Sequence, residues 1–174
     1  MSGKGTRRVF LRSAAFGGIA SGFGVSSARG DIPVGWMVSG AGSPVSSIDT
    51  RKVLLYECTR REIRERLADG SLKAAIVPTS STEQHNEHLA MNLDAAAALL
   101  IAQTAALQLY PRAIVTTPVN VGVSQHWMNR KGTLTLRKET FQAVVYDICD
   151  SLRIHGFTTI LVVNGHGGNI APLR

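Results

Sequence analysis

Thr158-Thr159-Ile160-Leu161-Val162-Val163 runs without a break into Asn164-Gly165-His166-Gly167-Gly168-Asn169. Six consecutive β-branched or aliphatic residues leave no polar face for water, so the stretch reads as a strand buried on both sides. The glycines behind it mark a sharp turn in which the backbone approaches a neighbour closely. Upstream, Lys73 to Pro78 (KAAIVP) is a second short apolar run ended by proline and hydroxyl residues, and Ala113 to Thr117 is a third. Helical patterns separate them. Asp94 to Leu109 is rich in alanine and leucine and apolar nearly all round, which predicts a well-buried helix, and Pro111 follows its end. Glu139 to Arg153 carries Phe141, Val144, Val145, Ile148 and Leu152 at helical spacing, with Gly156 to close it. Thr59-Arg60-Arg61-Glu62 has the form of a capping box, with Ile63 and Leu67 four apart behind it and a stop near Gly70. Gly132 to Leu136 is expected to add a short strand. The alternation of strand and helix predicts an α/β domain of three layers with a mainly parallel sheet. Loops after Pro78 and Val163 would then both leave carboxyl ends of parallel strands, where open α/β sheets bind their ligands.

The chain has 174 residues, 44% of them hydrophobic, enough for one core of its own. Its formal charge of +7 is misleading as a guide to partners, because Lys4, Arg7, Arg8, Arg12 and Arg29 all fall in the first 30 residues. From Asp31 onward 14 basic residues face 12 acidic ones, and no basic stripe interleaved with aromatics appears. Nucleic acid is therefore excluded as a partner on composition. Cys58 and Cys149 belong to no Cys-x-x-Cys pair, and Cys149 falls inside an apolar helical pattern, so two free thiols are expected rather than a disulfide.

Thr6-Arg7-Arg8-Val9-Phe10-Leu11-Arg12 resembles the twin-arginine export consensus, and a mild Gly-, Ala- and Ser-rich stretch follows from Ser13 to Ala28. That stretch is too short and too weakly apolar for a stable membrane span. Ser26 and Ala28 supply the small residues a signal peptidase reads. Paired arginines, the Phe-Leu that follows and the small-residue end occur together in order, which favours a signal over a plain basic tail. The expected division is a signal peptide over 1–30, a linker or lead-in over 31–50, and the folded domain over 51–174. The expected location is the periplasm, or wherever this export route delivers.

The residues with chemistry to offer gather at the predicted strand exits. Glu83 and His85 are two apart, so in an extended loop both side chains point to one side. Asp94 begins the next helix, and His166 stands in the glycine turn after the last strand. Glu-x-His is common by chance, and Asp94 alone would be an ordinary helix start. The combination of two carboxylates and two imidazoles suits zinc, manganese or iron, whereas calcium would call for more oxygens. Other signatures fail on spacing. His85-Asn86-Glu87-His88 lacks the gap and order of the His-Glu-x-x-His helix. The His-x-Glu of nucleobase deaminases lacks its Pro-Cys-x-x-Cys half here. Gly165-His166-Gly167-Gly168 lacks the third glycine and the following helix of a dinucleotide fingerprint.

Pro78 to Asp94 (PTSSTEQHNEHLAMNLD) and Val163 to Asn169 (VNGHGGN) resemble the two signature stretches of the creatininase family of amidohydrolases, and Gly132-Thr133-Leu134 resembles a third. The resemblance covers roughly residues 50 to 172. It implies that Glu83, His85, Asp94 and His166 hold two divalent metal ions, with Asp94 as the bridging carboxylate. It also implies hydrolysis of C–N bonds in a small cyclic or linear amide by water activated on the metals, with no side chain assigned as nucleophile, and assembly into a homo-oligomer when complete. Where many members have Gly-Pro after the histidine, this chain has Asn86-Glu87, which alters the pocket rim. Gly167 and Asn169 in the turn are substrate-pocket candidates. His88 either orients a ligand from behind or sits on the surface. His126 and Trp127 lie in the middle loop that lines the pocket in relatives, and a plain loop explains them as well.

Two metals sharing one carboxylate usually need at least five protein ligands, and four match the motif. In some relatives a glutamate lies two residues after the equivalent of His166, where this chain has Gly168. In relatives with the Asn-Gly-His-Gly-Gly-Asn turn, the last glutamate comes from further downstream. The expectation is therefore a creatininase-like domain whose C-terminal part is missing, poorly stable and inactive as it stands. The alternative from another class is a non-catalytic exported protein that binds a small molecule or a metal with the same fold.

Overall fold

The computed structural model describes residues 50–174 together with a two-residue strand, β1 (Ala14–Ala15). The export signal and the lead-in segment otherwise lie outside the described residues. The helix α1 (Arg60–Ala68) starts where the capping box predicts: the Thr59 hydroxyl accepts from the Glu62 N–H at 3.3 Å, and the Thr59 N–H donates to Glu62 Oε2 at 2.6 Å. After it come β2 (Ala74–Thr79), α2 (Leu93–Gln108), β3 (Ala113–Val115), α3 (Lys138–Ile154) and β4 (Thr159–Asn164). Short 3₁₀ turns occupy Leu55–Glu57, Gln125–Trp127 and Gly167–Asn169. Beyond α3, Gly156 takes φ +100, a conformation that a side chain would strain, and there the helix ends.

All strand pairs are parallel, in the order β1-β4-β2-β3. Alternation along β2 divides the core between two faces. Ala75 and Val77 join Phe141, Val145 and Leu152 of α3 and the half-buried Ile63 and Leu67 of α1. Ala74 and Ile76 face Ala102 and Ala106 of α2 on the other side. The result is the three-layer α/β arrangement, with helices on both faces of the sheet. No helix among the described residues is long and apolar enough to cross a membrane.

Three local expectations are corrected. The helix α2 is only partly buried: Ala98, Ala102 and Ala106, four apart, pack inward, while Leu100 and Ile101 remain 64% and 43% exposed. Alanine on the inner stripe lets the backbone lie close to the sheet, with Leu99 and Leu107 half-buried at its edges and Leu100 and Ile101 left outside. Gly132 to Leu136 forms no strand. Leu134 N–H bonds to Thr82 O and Leu136 N–H to Gly122 O, two different loops, so no ladder can propagate. The second strand does not stop at Pro78 but runs one residue further, to Thr79. Cys58 and Cys149 are both free, as expected.

Candidate metal centre

The topology makes a cleft where the chain leaves β2 and β4. From β2 the connection through α2 leads to β3 on one side; the return through α3, on the opposite face, leads to β4 on the other. Connections that diverge in this way open a crevice at the strands' carboxyl ends. The β2 exit is held by Ser80 N–H to Val119 O at 2.9 Å and by the Thr82 hydroxyl to Asn120 O at 2.8 Å. Glu83 N–H reaches across its own loop to Met91 O at 3.2 Å, and so brings Glu83 back beside the first turn of α2, where Asp94 sits. Asn86 adopts φ +59, a left-handed conformation that asparagine tolerates better than most side chains.

Ligand atoms of Glu83, His85 and Asp94 lie within 4.8 Å of one another. Asp94 stands between two imidazoles, with Oδ1 at 3.1 Å from His85 Nε2 and Oδ2 at 2.9 Å from His166 Nδ1. Glu83 Oε1 lies 3.4 Å from the same His166 nitrogen. His85 Nδ1 faces the carbonyl of Glu83 at 3.1 Å, and His166 Nε2 faces the carbonyl of Val123 at 3.1 Å. A carbonyl only accepts, so each ring commits one N–H to it and turns its other nitrogen toward the carboxylates. Metal-binding histidines are held in the same way by a carbonyl or carboxylate behind them.

Glu83, Asp94 and His166 are all buried, at 6%, 9% and 4% exposure. Two buried carboxylates need compensation, and Glu83 Oε2 has no hydrogen-bond partner among the described residues. Burial opposes a charge on His166, but the hydrogen bond to Asp94, the charge of Glu83 and the Val123 carbonyl outweigh it and raise the imidazole above its ordinary pKa. The donor set, a mix of imidazole nitrogen and carboxylate oxygen with one orphaned oxygen, fits a divalent transition metal.

The pocket candidates separate. His126 is exposed at the mouth, its ring parallel to that of His166 within 10° and 6.1 Å away between centroids, and Trp127 lies beside it at 5.4 Å. His88 and Gly167 are exposed, and no hydrogen bond ties His88 to the cluster. Asn169 is fully buried, and its amide is taken up by the scaffold: Nδ2 donates to Ser80 O and Asn164 Oδ1, and Oδ1 accepts from Val123 N–H. A Cβ at position 168 would run into the Val123 carbonyl and His166 Nε2, so this turn accepts only glycine there and leaves no room for an acidic side chain. Two residues escaped the sequence reading: Ser81 and Ser124, fully buried and joined at 2.6 Å, stand behind His166. The hydroxyl run Thr79-Ser80-Ser81-Thr82 was the one trace of Ser81 in the sequence, and Ser124 left none. A groove of about 670 Å³ between α3, β4 and the last residues, lined by Val145, Tyr146, Ile160 and Leu173, holds none of the candidate ligands.

Residues 56–174 match the family described as "Creatininase: Creatinine amidohydrolase". The chain is 26% identical over 125 residues to a creatinine amidohydrolase of Pseudomonas putida, an alignment covering 69% of this chain and 47% of that protein. It is 31% identical over 102 residues to a mycofactocin precursor peptide peptidase of Mycolicibacterium smegmatis, covering 56% of this chain and 41% of the relative. Among solved structures, a mutant creatininase of Zn-Zn type superposes with TM-score 0.65 at 26% identity, covering 71% of this chain and 49% of that one. A structure described as "Creatininase Mn" superposes with TM-score 0.60 at 27% identity over the same shares. The chain thus spans a little under half the length of these relatives.

Proposed function

This chain belongs to the creatininase family, and from that premise we propose that it serves a metal-dependent hydrolase of C–N bonds in cyclic or linear amides. The observation that carries the reading is the buried cluster of Glu83, His85, Asp94 and His166 with one carboxylate oxygen left unpartnered. Asp94, with one oxygen toward each imidazole, suits a bridging role between two ions; His85 and His166 would each hold one, and Glu83 would neutralise the remaining charge. Zinc, manganese and iron all suit this donor set. Divalent ions there would acidify water, polarise the amide carbonyl and stabilise charge developing on its oxygen. The exposed His126 at the mouth supports a part in handing a proton to the leaving nitrogen, since its ring reaches both solvent and the cluster. Trp127 would give the pocket an apolar wall.

Relatives acting on creatinine and on a precursor peptide point to a small amide or a peptide end as substrate class. The test is elemental analysis of the full chain after exposure to zinc or manganese, followed by a screen of cyclic amides and short peptides. Two metals per chain with turnover support the reading. Absence of bound metal overturns it, and one metal or none with tight small-molecule binding and no turnover favours a binding protein instead.

Export by the twin-arginine route and assembly into a homo-oligomer belong to the same proposal, the first supported by Arg7-Arg8 and the small residues at Ser26 and Ala28. Arginine and lysine are not equivalent in a pair read by a receptor. Replacing Arg7 and Arg8 together by lysine should hold the precursor in the cytoplasm, and undiminished export of that variant would refute the signal.

A further inference from the structure

Ser124 Oγ lies 3.1 Å from His166 Nε2 and 2.6 Å from Ser81 Oγ. Both hydroxyls are fully buried, in a chain where a hydroxyl without a partner costs free energy. The hydroxyls of both serines are directed to each other and to His166 rather than to the carboxylates, and the backbone of Ser124 is held separately, by its N–H to the Thr135 hydroxyl at 2.9 Å and by Trp127 N–H to its carbonyl at 2.9 Å. We propose that Ser124, backed by Ser81, is a positioning residue that fixes the ring of His166 so that Nδ1 points into the metal site. This deepens the metal-centre reading and rests on it.

His166 Nε2 faces two oxygens at once, Val123 O and Ser124 Oγ, each at 3.1 Å. Because the carbonyl can only accept, Nε2 carries a proton, and Ser124 Oγ becomes the second acceptor of the same N–H. The Ser124 proton then goes to Ser81 Oγ, which gives the short contact between them. The ring is thereby gripped by two acceptors on one edge. Its opposite nitrogen faces Asp94 Oδ2 and Glu83 Oε1. With Nε2 held in this way, Nδ1 is the nitrogen that would hold a divalent ion, and the two bonds at Nε2 would fix its direction. The loss of such an outer partner commonly lowers metal affinity about 10- to 100-fold.

The test measures zinc affinity of the full chain by chelator competition, for the unsubstituted protein and for Ser124→Ala, Ser81→Ala and the double variant. The metal-free melting temperature of each is the control, and cobalt is bound as a spectroscopic probe. Ser124→Ala should weaken zinc about 10-fold or more, and shift the visible cobalt bands as the ring reorients, with the metal-free melting temperature retained. Ser81 acts through Ser124, so the double variant should lose no more than Ser124→Ala alone. Should Ser124→Ala fail to fold, Ser81→Ala carries the same readouts with a smaller expected loss. Unchanged zinc affinity and unmoved cobalt bands would overturn the proposal while leaving the metal centre standing. Losses that follow a fall in the metal-free melting temperature, or that add in the double variant, would overturn it in favour of packing. If the unsubstituted chain binds no zinc, this proposal and the metal centre fall together.

Discussion

Asp94 joins two chemistries that a helix start rarely combines. Its position in the first turn of α2 gives the carboxylate a favourable backbone dipole, and its two oxygens reach His85 and His166 on different segments. A bridging ligand serves two ions, so Asp94→Ala should abolish binding of both, whereas His166→Ala should mainly weaken one. Elemental analysis of purified variants decides this, and full metal content in Asp94→Ala would refute the bridge. His126 makes the complementary case. If it passes a proton to the leaving nitrogen, His126→Ala should lower turnover by about 10²- to 10⁴-fold while metal content is kept. The four clustered residues were legible in the sequence because metal ligands have few types and the spacing Glu-x-His restricts direction. Ser81 and Ser124 were not, because a serine beside a buried imidazole has no pattern of its own until the fold brings residues 43 apart into contact.

Elements were readable where a local rule sets them and obscure where partners do. The start of α1 is such a rule, with both halves of the box closed around Thr59 and Glu62. The Lys52 ammonium, then the Thr59 backbone N–H and hydroxyl, hold the exposed Glu62 carboxyl down at a pKa of about 2, below its ordinary value of 4.5. A depressed carboxylate supports the fold above its unfolded pKa and loses that support as pH falls through the folded one. The N-terminal turn of α1 should accordingly loosen between about pH 4.5 and pH 2, which amide exchange across Arg60–Glu62 would report. Thr59→Ala should cost about 1 kcal/mol in chemical denaturation. On α3, Phe141 is fully buried against both β2 and β4, so Phe141→Ala should cost about 3–5 kcal/mol through the cavity it leaves. The helix α2 went the other way: sixteen residues of high apolar content gave no sign of which side would face the sheet, and the alanines decided it. Gly132 to Leu136 failed as a strand for want of a neighbouring edge, which composition cannot reveal.

At the scale of the whole fold, the ligands are brought together by sheet order rather than by sequence. Glu83 and His85 leave β2, Asp94 opens α2 and His166 leaves β4, so the cluster exists only while β2 and β4 pair in register from Ala74↔Thr159 to Thr79↔Asn164. In the unfolded chain His166 stands 72 residues from Asp94, and no such set of donors is preserved. An ion that binds the folded form alone must shift unfolding toward higher temperature. At a free concentration of 100 times the dissociation constant the gain is about 2.7 kcal/mol, and a 1 kcal/mol gain raises the midpoint of a domain this size by roughly 2–8 °C. Zinc or manganese should therefore raise the melting temperature of the full chain in a dose-dependent way, with EDTA reversing the shift and magnesium giving little. The same titration on Asp94→Ala isolates the cause, because the carboxylate that links the two histidines is gone while β2 and β4 still pair. A shift in the unsubstituted chain that vanishes in Asp94→Ala ties the stabilisation to this cluster. An equal shift in both would mean that the ion binds elsewhere on the molecule.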